Sequence, residues 1–266
     1  MKLYSFFNLG NTCYLNSVLQ CLLNDPDFKK NLKVCDKNQD LIKILNDIEI
    51  DLTQPDIKTF KHYNLTDMIN YFGKKFPRFQ QHDSHEFLLE FLDKLNYSKF
   101  TGKIKTKIVC TSCKTVSTKF EDFTTIDLYV QKNNLFENFM DYLKREEIHG
   151  YTCEKCKCAV TATKKSYLYT INEYIIIVLK KYTSKTKIEY PKNNLKIRET
   201  ESEEIYTYDL HAVIYHLGNR DNGHYNCSVL IHGNWYFIDD EKIVLKDSMG
   251  DTDENSYILF YKRVKN

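Results

Sequence analysis

The sequence predicts an α+β fold in which a helical lobe is followed by a sheet. Apolar residues recur at helical spacing from Cys13 to about Asn96, and after Phe100 the period shortens to that of strands. At 266 residues the chain can bury a sizeable core, as one large domain or two small ones.

The elements follow in order. Asn8 to Thr12 is turn sequence, after which Tyr14, Leu15, Val18, Leu19, Leu22 and Leu23 mark a buried helix opened by Cys13. Leu41, Ile44, Leu45 and Ile48 form a second stripe, Met68, Ile69 and Phe72 a third, and Phe87, Leu88, Phe91, Leu92 and Leu95 a fourth. Pro26, Pro55 and Pro77 separate them. Ile104 to Val109, Thr118 to Phe123 and Thr125 to Val130 are β-branched and aromatic and read as strands, as does the apolar run Ile171 to Leu179. Residues 135–148 are expected to add one helix. The last third is nearly all strand: Tyr206 to Ile214 alternates, Tyr225 to Ile231 and Asn234 to Ile238 flank a His232-Gly233-Asn234 turn, and Tyr257 to Tyr261 closes the chain. No internal repeat or low-complexity tract is present.

Composition narrows the function classes. Hydrophobic content of 42% and charged content of 28% are those of a globular protein, which excludes disordered and fibrous chains. Lys+Arg 38 against Asp+Glu 36 gives +2 with the signs interspersed, so nothing calls for a nucleic-acid or membrane partner. The longest apolar runs are too short to span a bilayer, and Met1 to Ser5 leaves no room for a signal peptide ahead of the Cys13 helix. A reducing compartment, cytoplasmic or nuclear, is therefore expected, where nine cysteines point to metal ligation or catalysis before disulfides.

Four constellations carry chemistry. Cys13 stands at a helix start, where unpaired N–H groups and the helix dipole favour a thiolate nucleophile, although a lone cysteine is more often a small buried hydrophobe. If the late hairpin turns near His232 or Gly233, His224 lies opposite residues 240–242, within a step or two of Asp239 or Asp240. A carboxylate there fixes the imidazole tautomer and leaves the other ring nitrogen for a thiol proton; alone, the pair would be an ordinary surface ion pair. Cys110 and Cys113, then Cys153 and Cys156, form two C-x2-C knuckles with 39 residues between them, four soft ligands for a structural tetrahedral Zn²⁺. Cys158 and His149 are nearby alternatives for one coordination place. Finally, Asp83 and Glu86 have the spacing of a helix capping box, or at a cleft mouth could receive a basic peptide.

Taken together and in this order, Asn8-Leu9-Gly10-Asn11-Thr12-Cys13-Tyr14, Gln81-His82-Asp83-Ser84-His85-Glu86-Phe87, the paired knuckles, Gly223-His224-Tyr225 and Ser256 to Tyr261 resemble the ubiquitin-specific proteases, a family of cysteine deubiquitinases. The resemblance covers practically the whole chain. It implies a papain-like cysteine protease as one catalytic domain, with a helical thumb over about 1–98, zinc-bound fingers over about 99–165 and a β-sheet palm over about 166–266. By motif, Cys13 is the implied nucleophile, His224 the general base, Asp239 its orienting group with Asp240 as helper, and Asn8 the oxyanion donor. Asp83 matches a residue that contacts the substrate tail; Glu86, Gly223 and Tyr225 are carried over with it as substrate-binding. The implied partner is ubiquitin or ubiquitinated protein, the implied cofactor structural Zn²⁺, the expected state a monomer. Departures are Ile171-Asn172-Glu173-Tyr174 and Leu179-Lys180-Lys181-Tyr182, which lack the family's proline-containing lead and Arg-Phe ending, and Ile238 in place of an aromatic; they spare the catalytic positions. The rival readings are a deconjugase of a ubiquitin-like modifier, a non-catalytic ubiquitin-binding module, a general papain-like peptidase and a zinc-ribbon nucleic-acid binder.

Overall fold

The structure, a computed structural model, describes residues 2–32, 38–48, 56–181, 186–218, 223–249 and 252–265. Cys35, Pro55, Tyr182 and Asn222 lie outside these residues. The first lobe comprises β1 (Lys2–Phe6), α1 (Cys13–Leu23), α2 (Pro26–Leu32), α3 (Gln39–Asp47), β2 (Asp56–Tyr63), α4 (Thr66–Phe72) and α5 (Ser84–Leu95), with a 3-10 turn at Ser98–Phe100. The four helical stripes are thus present, but the lobe is not purely helical. β1 and β2 pair in parallel, with Tyr4 opposite Lys61 and Phe6 opposite Tyr63. Lysines at 58 and 61 interrupt the β2 run, so its two-residue period is weak in the sequence. Pro26, read as a break, opens α2, where its missing N–H costs nothing.

β3 (Gly102–Cys110), β4 (Val116–Phe123), β5 (Thr125–Tyr129), α6 (Leu135–Tyr142), β6 (Glu146–Thr152) and β7 (Ala159–Thr170) come next. The order β4-β3-β7-β6 makes a four-stranded antiparallel sheet ending in the cysteine knuckles. β5 does not join it. It pairs in parallel with β8 (Tyr174–Lys180), so residues 125–142 run with the following sheet although they fall inside the stretch expected as fingers. The helix expected over 135–148 ends at Tyr142, and its last three positions, 146–148, open β6 instead. Asn134 caps α6 by accepting the N–H groups of Phe136 and Glu137.

The palm continues through β9 (Ile188–Glu189), β10 (Leu195–Arg198), β11 (Ile205–Gly218), β12 (Gly223–Ile231), β13 (Asn234–Asp239), β14 (Lys242–Lys246), β15 (Thr252–Asp253) and β16 (Ser256–Arg263). Its sheet runs β14-β13-β12-β11-β16-β8-β5, with β10 added on β11. His232 (φ 48°) and Gly233 (φ 81°) form the two-residue turn between β12 and β13, so Asn234 belongs to the strand. The resulting register sets Cys227 opposite Ile238.

Both faces of this sheet are covered, which explains why β8 reads as an unbroken apolar run. Tyr174, Ile176 and Val178 face one core with Val18, Leu19, Phe87 and Phe91; Ile175, Ile177 and Leu179 face a second with Leu135 and Leu210. Every residue of α1 is buried. A buried helix must satisfy its polar side chains: Gln20 Nε2 donates to the Tyr4 carbonyl at 2.8 Å within the first lobe, and Asn16 Nδ2 donates to Asp240 Oδ1 at 2.7 Å, tying that lobe to the later sheet.

Candidate active site

Cys13 is the first residue of α1 and is 6% exposed. The loop before it is curled by local hydrogen bonds: Asn8 Oδ1 accepts the N–H groups of Gly10 and Thr12, each at 3.2 Å, and Thr12 Oγ1 accepts that of Leu9 at 3.0 Å. Gly10 has φ +95°, and a Cβ there would lie 2.5 Å from Phe79 Cδ1, so the position takes glycine alone. Thr12 makes no side-chain cap to the helix, which leaves first-turn N–H groups facing the sulfur's surroundings.

His224 arrives on β12. The N–H of Gly223 donates to Gln81 Oε1 at 2.9 Å, holding the start of that strand against the loop before α5. A side chain at 223 would put its Cβ 2.0 Å from His216 Nε2; instead the His216 ring stacks on Tyr225 at 4.5 Å. The structure brings Cys13, His224 and Asp239 together. His224 Nε2 is 2.5 Å from Asp239 Oδ1, and the imidazole also hydrogen-bonds the Cys13 side chain. That bond, opposed by partial burial and helped by Asp239, pushes the His224 pKa up to about 9. The imidazole is therefore protonated at neutral pH.

Asp240, expected beside the imidazole, instead directs its carboxylate into the thumb. Oδ2 accepts Asn8 Nδ2 and Oδ1 accepts Asn16 Nδ2, both at 2.7 Å. Its left-handed φ of 48° produces this turn, and its carbonyl receives the Phe6 N–H at 3.3 Å. Burial raises the Asp240 pKa against those two amide donors. Asn8 is thus fixed at both ends of its carboxamide, beside the first turn of α1.

Asp83 is the N-cap of α5: Oδ1 accepts the N–H of His85 at 2.7 Å and of Glu86 at 3.1 Å, and Oδ2 accepts the Tyr257 hydroxyl at 2.8 Å. Asp83 is nonetheless exposed. Glu86 pairs with Lys75 at 3.9 Å, and Tyr225 is 7% exposed within the core. Gln81, Asn16 and Tyr257 were not singled out from the sequence as site residues. Their partners lie 142, 224 and 174 positions away, so no local spacing announces them.

The four knuckle cysteines converge. Cys110 Sγ is 3.9 Å from Cys156 Sγ and Cys113 Sγ 3.6 Å from Cys153 Sγ, and all four sulfurs lie within 4.8 Å of one another. Four tetrahedral Zn–S bonds would set the sulfurs about 3.8 Å apart, so the donor set fits a metal ion. Lys114 (φ 60°) and Lys157 (φ 57°) close the two turns, donating their N–H groups to the carbonyls of Cys110 and Cys153. Cys158 is exposed, and neither it nor His149 belongs to the cluster. Among the described residues no helix is long and apolar enough to cross a membrane.

Residues 5–261 match the ubiquitin carboxyl-terminal hydrolase family. The chain is 28% identical to mouse ubiquitin carboxyl-terminal hydrolase 17-like protein E over 96% of its length and 54% of that protein's. It is 32% identical to ubiquitin carboxyl-terminal hydrolase 26 of Oryza sativa subsp. japonica, over 89% of this chain and 25% of that one. The chain therefore spans about half the length of the mouse relative and a quarter of the rice one. Among solved structures, the SAGA DUB module Ubp8/Sgf11/Sus1/Sgf73 bound to ubiquitin aldehyde matches with a TM-score of 0.77 at 22% identity, covering 99% of this chain and 70% of that one. A Ubp8 module bound to monoubiquitin gives 0.80 at 20%, covering 99% and 69%. With a family match across nearly all of its residues and this mixed helix-and-sheet architecture, the chain belongs to the ubiquitin carboxyl-terminal hydrolase family.

Proposed function

We propose that the protein is a deubiquitinating cysteine protease that hydrolyses the isopeptide bond after the C-terminal glycine of ubiquitin. The observation that carries this is the meeting of Cys13, on the buried helix, with the His224–Asp239 pair delivered by the hairpin more than two hundred residues later. The solved relatives are bound to ubiquitin or ubiquitin aldehyde, which gives the substrate class.

In this reading the Cys13 thiolate attacks the carbonyl carbon and the oxygen takes up negative charge between the Asn8 amide and the Cys13 N–H. Protonated His224 gives its proton to the leaving lysine amine, with Asp239 keeping the ring oriented. His224 then takes a proton from water as it attacks the thioester, and Cys13 is regenerated. Asp240 acts at one remove, by holding Asn8. Asp83 stands exposed to receive the extended tail, with Glu86 beside it and Gly223 at the approach, while Tyr225, expected to bind substrate, supports that strand from the core. Cys110, Cys113, Cys153 and Cys156 hold Zn²⁺, whose contribution is a crosslink between the two finger turns. All catalytic groups come from one chain, and the protein acts as a monomer.

The test is labelling with a ubiquitin probe carrying a C-terminal electrophile, next to matched probes built on ubiquitin-like modifiers. The expected adduct is on Cys13 with the ubiquitin probe. An adduct on another cysteine, or labelling by a modifier probe alone, would overturn the assignment.

A further inference from the structure

The stretch ahead of α5 is tied at alternate residues to three distant segments. The Phe79 carbonyl accepts Asn11 Nδ2 at 3.0 Å, from the loop that leads into Cys13. Gln81 Oε1 accepts the N–H of Gly223, one residue ahead of His224, at 2.9 Å. Asp83 Oδ2 accepts the Tyr257 hydroxyl of β16 at 2.8 Å. Between these ties His82 turns inward: its Nε2 donates to the Pro77 carbonyl at 2.9 Å, and its ring meets that of Tyr14, the neighbour of Cys13, at 5.2 Å. One short stretch therefore holds the loop of the nucleophile and the strand of the histidine at points two residues apart.

Phe79 keeps a conformation that its own burial does not explain. Its φ is +63°, in the left-handed region that bulky side chains avoid, and it is 70% exposed, so burial returns little for the strain. The ring instead lies on Gly10, so closely that a Cβ there would come within 2.5 Å of it, and the Arg78 guanidinium stands 5.4 Å from the ring centre. Gly10 in turn donates its N–H to Asn8 Oδ1, so the ring bears on the curl that carries Asn8 as well as on the approach to Cys13. Strained backbone that survives without burial gathers at functional sites.

On the other side, the first N–H of β12 goes to a side chain of the thumb. The hydrogen bond between Cys13 and His224 joins groups from two lobes, and it forms at one separation of those lobes only. Resting on the deubiquitinase reading, we propose that residues 79–83 are the spacer that sets this separation, with Gln81 a positioning residue acting on His224 through Gly223 and Phe79 one acting on Cys13 through Gly10.

The experiment compares Gln81→Met, which keeps the length of the side chain and removes the acceptor, with Gln81→Glu, which keeps an acceptor oxygen. Gln81 and Phe79 are both exposed, so the variants should fold, as circular dichroism melting will show. Two readouts are taken: kcat and KM on ubiquitin with a C-terminal coumarin amide, and the rate at which iodoacetamide alkylates Cys13 without substrate, followed on the Cys13 peptide by mass spectrometry. Gln81→Met is expected to lower kcat about fivefold, the worth of one hydrogen bond, with KM nearly unchanged, and to slow alkylation to a similar degree because the imidazolium supports the thiolate less closely. Gln81→Glu should bring both back to within about twofold of wild type. Phe79→Gly, which keeps the left-handed backbone and removes the ring, should lower kcat and slow alkylation in the same direction. Unchanged kcat and alkylation in Gln81→Met would overturn the spacer, as would a loss that Gln81→Glu shares in full. A rise in KM at constant kcat would make Gln81 a substrate contact and overturn it too. Failure of the wild-type protein to release coumarin would overturn the parent reading, while the alkylation comparison would still decide the spacer.

Discussion

Removing Asp239 should move the alkaline limb of the pH–activity profile downward. His224 is held at about 9 by its bonds to Cys13 and Asp239, above the usual value of about 6.5. A raised pKa means that the protonated ring is present below about 9 and is lost as pH climbs through it. At pH 8 such a ring is about nine-tenths protonated, whereas one at about 6.5 is protonated to about 3%. Asp239→Ala takes away the hydrogen bond and the charge at Nε2 but keeps the Cys13 contribution, which is the larger. The limb should therefore fall between about 6.5 and 9, and the pH 8 rate relative to pH 6 should drop by at most about twentyfold. The measurement is kcat/KM against pH from about 5 to 10 with a ubiquitin coumarin substrate, in wild type and variant. An unmoved limb in Asp239→Ala, or a wild-type limb already near the ordinary histidine value, would refute the reasoning.

Asn8→Ala should lower kcat by about 10²–10³, on the order of 2.7 to 4 kcal/mol of barrier, while a ubiquitin-binding titration changes little. Asp240→Ala should cost less, and the double variant no more than Asn8→Ala alone, because Asp240 works through Asn8; turnover of all three reads this coupling. Cys113→Ser, or prolonged chelation, should remove about one equivalent of zinc by elemental analysis and lower the melting temperature, with the finger strands losing amide-exchange protection before the palm. Gly223→Ala should fail on sterics: a Cβ 2.0 Å from His216 must displace that ring or the strand start, and turnover should fall at least about tenfold with the fold retained by circular dichroism.

The parts legible in the sequence are those set by short-range pattern. The α1 stripe, the Phe87 to Leu95 stripe and the β12–β13 hairpin are periodic over enough residues to declare themselves, and the hairpin turn narrows the carboxylates that can reach His224 to Asp239 and Asp240. The knuckles are equally local in spacing. What stayed hidden depends on distant partners. β2 forms because β1 offers it an edge, and β7, whose Lys164-Lys165 pair obscures its alternation, forms because β3 lies beside it. Residues 146–148 read as the end of a helix until β7 pairs with them. The division of labour between Asp239 and Asp240 turns on one left-handed residue, and the aspartate itself gives no advance sign of it.

β16, the last strand described, does not sit at an edge; it lies between β11 and β8 in the middle of the palm. Among the described residues, β14-β13-β12-β11 on one side and β8-β5 on the other share no strand neighbour except β16, so the half that carries His224 is joined to the rest of the sheet through residues 256–263. A cut ahead of that strand would therefore split the sheet at its centre, not fray it at its rim.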